Sequence, residues 1–170
     1  MKKRTNSIFT YILAVLLYSN LNAQVNPGDK NLIHSWKFDD GTAKDYIGKS
    51  EGVLKGAAKI LNGALNTTEP NSWMEMPASK IAINELNEVT IEAWFKPLAN
   101  ENTGFHMLAY FGNTQNAIGV NYFFMTPARL DDVSRAAISC DELSTPWAAE
   151  TGVNGQEVDD DSVHHKVATL

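Results

Sequence analysis

Between Val89 and Phe95 the chain reads Val-Thr-Ile-Glu-Ala-Trp-Phe, which puts Val89, Ile91, Ala93 and Phe95 on one side and Thr90, Glu92 and Trp94 on the other. A period of two marks a half-buried strand, because successive side chains leave opposite faces of the pleat. The outward side carries a tryptophan among polar groups, a kind of surface on which all-β domains bind ligands. Attention therefore goes to sheet faces and loops.

Further strand-like segments recur at short intervals: 32–38, 52–54, 64–66, 73–76, 106–111, 119–125, 135–139 and 163–170. Turn chemistry separates most of them, at Asp39-Asp40-Gly41, Gly48, Glu69-Pro70-Asn71, Gly112-Asn113 and Val153-Asn154-Gly155. Asn62-Gly63, set between Ile60-Leu61 and Ala64-Leu65, is the strongest hairpin signal. One short helical turn is expected at 78–83, and residues 141–157 read as a polar loop. No amphipathic helical pattern of ten or more residues follows the N-terminal segment. The fold class is therefore all-β, most economically a two-sheet antiparallel sandwich.

The N-terminus is a separate matter. Lys2, Lys3 and Arg4 precede an apolar run from Ile8 to Leu17, and Ala23 is a small residue suited to cleavage, so residues 1–23 read as a secretory signal peptide. The run is too short to span a bilayer. Cys140 is the only cysteine, so no lipoprotein anchor can form at a mature Gln24 and no internal disulfide can form; a buried free thiol is expected. No transmembrane anchor is therefore expected after cleavage. Removal of residues 1–23 leaves 11 basic against 20 acidic residues. With no basic stripe, no nucleic-acid partner is expected, and neutral or cationic ligands fit better. The remaining chain, residues 24–170, suffices for one domain with a core.

Particular segments are similar to a known family. Leu32-Ile33-His34-Ser35-Trp36-Lys37-Phe38-Asp39-Asp40-Gly41, Asp45-Tyr46-Ile47-Gly48, the Gly63-Ala64-Leu65 hairpin, Val89 to Phe95, Ser134 to Ser139, and His164-His165-Lys166-Val167-Ala168-Thr169-Leu170 occur in the order seen in laminin-G-like, concanavalin-A-like jelly-roll domains of the lectin and glucanase type. The resemblance implies a jelly roll. Val163 departs from it, standing where that family usually has tryptophan, and the strand that would follow Leu170 is missing. The chain is accordingly expected to be the N-terminal portion of a longer domain, incomplete at its C-terminus. The signal segment resembles that of a bacterial export substrate, which implies a secreted, periplasmic or cell-surface location.

Candidate site residues follow from chemistry. Sugars are recognised by planar rings stacked on their C–H faces and by amide and carboxylate groups that bond their hydroxyls, which points to Trp147, Trp94 and Trp73, with Tyr122 beside them. Trp36 alternates with His34 and Phe38 and is expected in the core. Asp39, Asp40 and Asp45 surround a glycine turn, and Asp39 and Asp45 are the candidate calcium ligands, calcium being held near the corresponding loop in some members of the family. Turn formation by the same aspartates is the alternative. Asp159-Asp160-Asp161 reads as a solvated turn. His164 and His165 are adjacent on a strand, so one faces in and one out, unsuited to sharing an ion. The hydrolases of the family carry acids in an E-x-D-x-x-E array. Here Glu88 and Glu92 would lie about 13 Å apart with Thr90 between, too far for either glycosidase mechanism. The expectation is a non-enzymatic secreted module that binds carbohydrate or an extracellular protein. The alternatives are part of a glycan-processing enzyme with its catalytic residues beyond residue 170, or a structural domain that pairs an open edge with a partner strand.

Overall fold

A computed structural model describes residues 30–98, 105–116, 118–129, 133–142 and 144–170. The signal peptide expected at 1–23 lies outside the described residues. Among the described residues every strand pairing found is antiparallel and helix is confined to short turns, so the fold is all-β. Backbone contacts divide the chain into two compact units, Met1–Lys80 and Ile81–Leu170.

In the first unit β1 (Val53–Lys55) pairs with β4 (Trp73–Glu75), and β2 (Lys59–Leu61) pairs with β3 (Ala64–Asn66). The β2–β3 turn is Asn62-Gly63 with φ of 53° and 77°, the left-handed pair that a two-residue hairpin of primed type requires. Residues 32–38, expected as a strand, contribute only a bridge between Trp36 and Asp45. The cause is local. The Asp45 carboxylate captures the Ser35 amide, and Phe38 turns to φ 63°, closing a turn in which Gly41 donates to the Phe38 carbonyl. Trp36 is consequently half-buried rather than central; its indole N–H donates to the Ser50 carbonyl at 2.9 Å, and the His34 ring stacks on it at 5.5 Å. The expected helical turn is present as α1 (Ala78–Ile81), followed by a 3-10 turn at Ile83–Glu85.

In the second unit β5 (Thr90–Phe95) pairs with β10 (His164–Thr169). A meander of β6 (Ala109–Gln115), β7 (Ile118–Thr126), β8 (Val133–Ser139) and β9 (Thr151–Gln156) forms a four-stranded sheet in that order. A 3-10 turn, Pro146–Ala149, precedes β9. β9 occupies part of the stretch expected as loop. All six of its residues are exposed on an edge strand, so burial imposes no alternation that the sequence could display. The core gathers on β7, where Val120, Tyr122, Phe123, Phe124 and Met125 are buried, with Ala137 of β8 beside them. The expectation for Cys140 is corrected: it lies just past β8 and is exposed.

The two sheets of this unit meet through a lysine. β10 alternates half-buried and exposed residues, and Lys166 in its inward row donates from Nζ to the Thr126 carbonyl (2.7 Å), to Ser134 Oγ (2.7 Å) and to the Arg135 carbonyl (3.4 Å). Burial lowers the basicity of this amine.

Candidate functional site

The outward row of the β5–β10 sheet is built by its register. Trp94 lies opposite His165, Glu92 opposite Val167 and Thr90 opposite Thr169. Cross-strand neighbours on one face stand close enough for their side chains to touch. The Trp94 and His165 rings stack at 4.1 Å with planes 9° apart, a pairing that contributes about 0.5–1.5 kcal/mol beyond area burial. His165 Nε2 lies 3.3 Å from the Glu92 carboxylate, and the Thr90 and Thr169 hydroxyls bond each other at 3.0 Å. At the other end of the row Lys96 pairs with Asp161 at 3.1 Å. Trp94 is 65% exposed, so a braced indole stands open beside a carboxylate, an imidazole and two hydroxyls. Such a surface can stack on the C–H face of a sugar ring while polar neighbours bond its hydroxyls.

Trp147 lies elsewhere in the same unit. It is exposed in the 3-10 turn Pro146–Ala149, which is held to the four-stranded sheet by a bond from Ser139 Oγ to the Pro146 carbonyl at 2.8 Å. Glu150, directly after this turn, accepts from the Tyr122 hydroxyl (2.8 Å) and from Arg135 Nε (2.6 Å), and Arg135 Nη1 donates to Asn154 Oδ1 (2.5 Å). Burial and the Glu150 carboxylate together hold the Tyr122 phenol above its ordinary pKa. Trp73 is exposed on β4 of the first unit, opposite Lys55, beside the Lys55–Glu75 ion pair. The structure therefore does not gather the three expected tryptophans into one cluster, and none of them stacks on another among the described residues.

No family model, no curated protein and no solved structure matches this chain. What the protein does must accordingly be argued from its own surfaces.

The calcium reading of Asp39 and Asp45 does not fit the geometry. Asp45 is buried, and its Oδ1 accepts from the amides of Ser35 (2.9 Å), Ile47 (3.0 Å) and Gly48 (3.0 Å), while Oδ2 accepts from Ser50 N (2.9 Å) and contacts His34 Nδ1 (2.6 Å). Burial alone would raise the pKa of this carboxyl, but the bonds from His34 and the backbone amides overcome it and hold it well below the usual range. With both oxygens surrounded by N–H donors, Asp45 closes a loop and offers no lone pair to a cation. Asp39 is turned to the Tyr46 hydroxyl at 3.1 Å. Among the described residues no group of three or more His, Cys, Asp or Glu could hold a metal ion.

The histidine pair divides as the strand period requires. His164 in the inward row bonds the Asp160 carboxylate at 2.7 Å, and His165 faces out. Thr90 and Glu92 lie on the outward face of β5, with Glu92 engaged by His165. Sequence reasoning treated the histidines as fold pattern and so missed His165 as a site residue. It also missed Lys166 and the Arg135–Glu150 pair. The outward position of His165 was legible in the strand period, but its stacking on Trp94 depends on a register that only pairing across 71 residues of sequence could supply.

Proposed function

We propose that this protein is a secreted, non-enzymatic recognition module that binds neutral carbohydrate on the outward face of the β5–β10 sheet. One observation carries the reading: an indole 65% exposed yet braced by a parallel imidazole 4.1 Å away, with a carboxylate and paired hydroxyls along the same row. A stacked ring loses little conformational freedom on binding, which favours weak but specific recognition of a flat sugar face. The excess of 20 acidic over 14 basic residues in the chain argues for neutral rather than acidic glycans. Export rests on the signal-peptide reading of residues 1–23, and the jelly-roll architecture rests on the sequence resemblance to laminin-G-like domains.

The test is titration of the exported chain with neutral oligosaccharides, compared with Trp94→Ala and His165→Ala. Trp94→Ala should weaken binding at least tenfold, the equivalent of about 1.4 kcal/mol. His165→Ala should weaken it less, because the indole remains and loses only its brace. Undiminished affinity in Trp94→Ala, with the fold intact by circular dichroism, would refute the assignment.

A further inference from the structure

The four-stranded sheet carries a second exposed aromatic ring, Tyr110, set beside a β-bulge at the edge of the buried Tyr122 and Phe124. On β6 the residues Tyr110, Gly112 and Thr114 share one face by strand alternation. On β7 Tyr122 and Phe124 belong to that face, since Tyr110 pairs with Phe124. Regular alternation would send Gly119 to the opposite face. The register instead shifts between Phe111 and Asn113, and Asn121 adopts φ 47°, so one extra residue of β7 is accommodated there and Gly119 emerges opposite Thr114 on the Tyr110 face. The bulge is held from outside: Asn121 N–H donates to the Asp141 carbonyl at 3.3 Å, and Asn121 Nδ2 donates to the Glu142 carboxylate at 2.5 Å.

The two glycines explain the posture of Tyr110. A Cβ added at Gly112 would lie 3.1 Å from Tyr110 Cζ and 2.9 Å from its hydroxyl; one at Gly119 would lie 3.4 Å from Cζ and would collide with the hydroxyl. The ring therefore lies down over a floor from which both side chains are missing. Close approach of a ring to backbone is a recognised use of glycine in strands. One edge leans on Tyr122, with centroids 6.1 Å apart and planes 29° apart, and the residue is 40% exposed. Part of the ring above this floor is therefore open to solvent.

This surface is on the far side of the unit from Trp94. Lys166 reaches Ser134 Oγ, and Ser134 alternates with Arg135, whose partners Thr126 and Asn154 belong to the Tyr110 face. The β5–β10 sheet thus approaches the face opposite Tyr110, while Trp94, alternating with the inward row, points away from it.

We infer that Tyr110, laid flat over Gly112 and Gly119, is a second sugar-stacking site, so that one chain can hold two neutral glycan segments on opposite faces. The ligand class is a glycan with equatorial hydroxyls, whose rings have flat C–H faces matching a horizontal phenol. The site does not depend on Trp94, and the two can fail separately.

The experiment titrates the chain with cellohexaose while following the backbone amides of Gly112 and Gly119, which report on Tyr110, and the Trp94 indole N–H. Wild type should shift both sets and bind two oligosaccharides per chain. Tyr110→Ala should leave one, with the Trp94 signal still responding, and Tyr110→Phe should keep two because stacking needs no hydroxyl. Gly119→Ala, which keeps the tyrosine but lifts its ring, should weaken the second site fivefold or more. Two sites surviving in Tyr110→Ala would overturn the proposal, as would a wild type whose Gly112 and Gly119 amides never move. Loss of the Trp94 response alone would leave the proposal standing and remove the reading of the first face.

Discussion

Removing the Asp45 carboxylate should open the loop from His34 to Ser50, and the structure sets the size of the effect. Four backbone amides and one imidazole converge on its two oxygens. A hydrogen bond to a charged acceptor contributes about 1.5–3 kcal/mol, although bonds sharing one acceptor do not add fully. Asp45→Ala orphans all five donors, including that of the fully buried Ser50, and should cost on the order of 4 kcal/mol. Asp45→Asn keeps one oxygen for Ser35, Ile47 and Gly48 but sets an amide N–H₂ against the Ser50 N–H, and should cost about 2 kcal/mol. In amide exchange these losses read as about 1000-fold and about 30-fold faster opening at Ser50, since each 1.36 kcal/mol is tenfold. The pH dependence has a fixed sign. A carboxyl with a depressed folded pKa contributes stability that is complete above its unfolded value of about 3.9 and is lost as pH falls toward the folded one. The gap between wild type and Asp45→Asn should therefore close on acidification below about pH 4. Wild-type protection at Ser50 and Gly48 in Asp45→Ala would refute the reasoning.

Three other changes have definite outcomes. Lys166→Met leaves the Thr126 carbonyl and Ser134 hydroxyl without their donor but also removes a half-buried charge, for a net loss of about 2 kcal/mol in urea unfolding at pH 7. Because the folded amine titrates below the unfolded one, the unfolded chain binds more protons in that window, so wild-type stability gains from rising pH toward about 10 and the methionine variant lacks this gain. Arg135→Ala leaves the Glu150 carboxylate, whose side chain is 11% exposed, with the Tyr122 hydroxyl but without its cationic partner, and should lower stability by about 3–5 kcal/mol in the same assay. Cys140, being exposed, should react with a thiol reagent in the native protein within about tenfold of the rate of the unfolded chain; stoichiometric labelling only in denaturant would contradict its position.

The legible parts of the fold were those in which neighbouring residues settle the outcome. Asn62-Gly63 dictates its own turn, and Val89 to Phe95 displays its pleat because one face is shielded and the other open. Residues 32–38 misled for the opposite reason. Their alternation is real, but a carboxylate ten residues on competes for the Ser35 amide that a ladder would need. Likewise the Asp39–Asp45 cluster suggested oxygen ligands for a cation, whereas composition alone cannot show that five donors already point at one of them. At the candidate site Trp94 was visible as an outward aromatic, while its brace at His165 and the flat posture of Tyr110 depend on strand register and on a bulge. Neither is encoded within a window of a few residues.

Register is also what ties Lys166 to the candidate site. A slip of β10 by one residue against β5 would turn His165, Val167 and Thr169 inward and expose His164, Lys166 and Ala168. The hydrophobic contrast between these rows is small: each holds three residues of mixed polarity, so apolar burial alone specifies the register weakly. Lys166 supplies the missing discrimination. Its ammonium finds acceptors in the Thr126 and Arg135 carbonyls and Ser134 Oγ only when its row faces the four-stranded sheet, and the slipped arrangement would leave Ser134, which is buried, without that donor. An aliphatic residue at 166 would bury more apolar area but would tolerate small sliding of the strand. The lysine trades part of that burial for a fixed position, and the fixed position is what sets the His165 imidazole 4.1 Å from the Trp94 indole. A buried polar contact on the inward face thereby determines whether the outward face presents a braced ring.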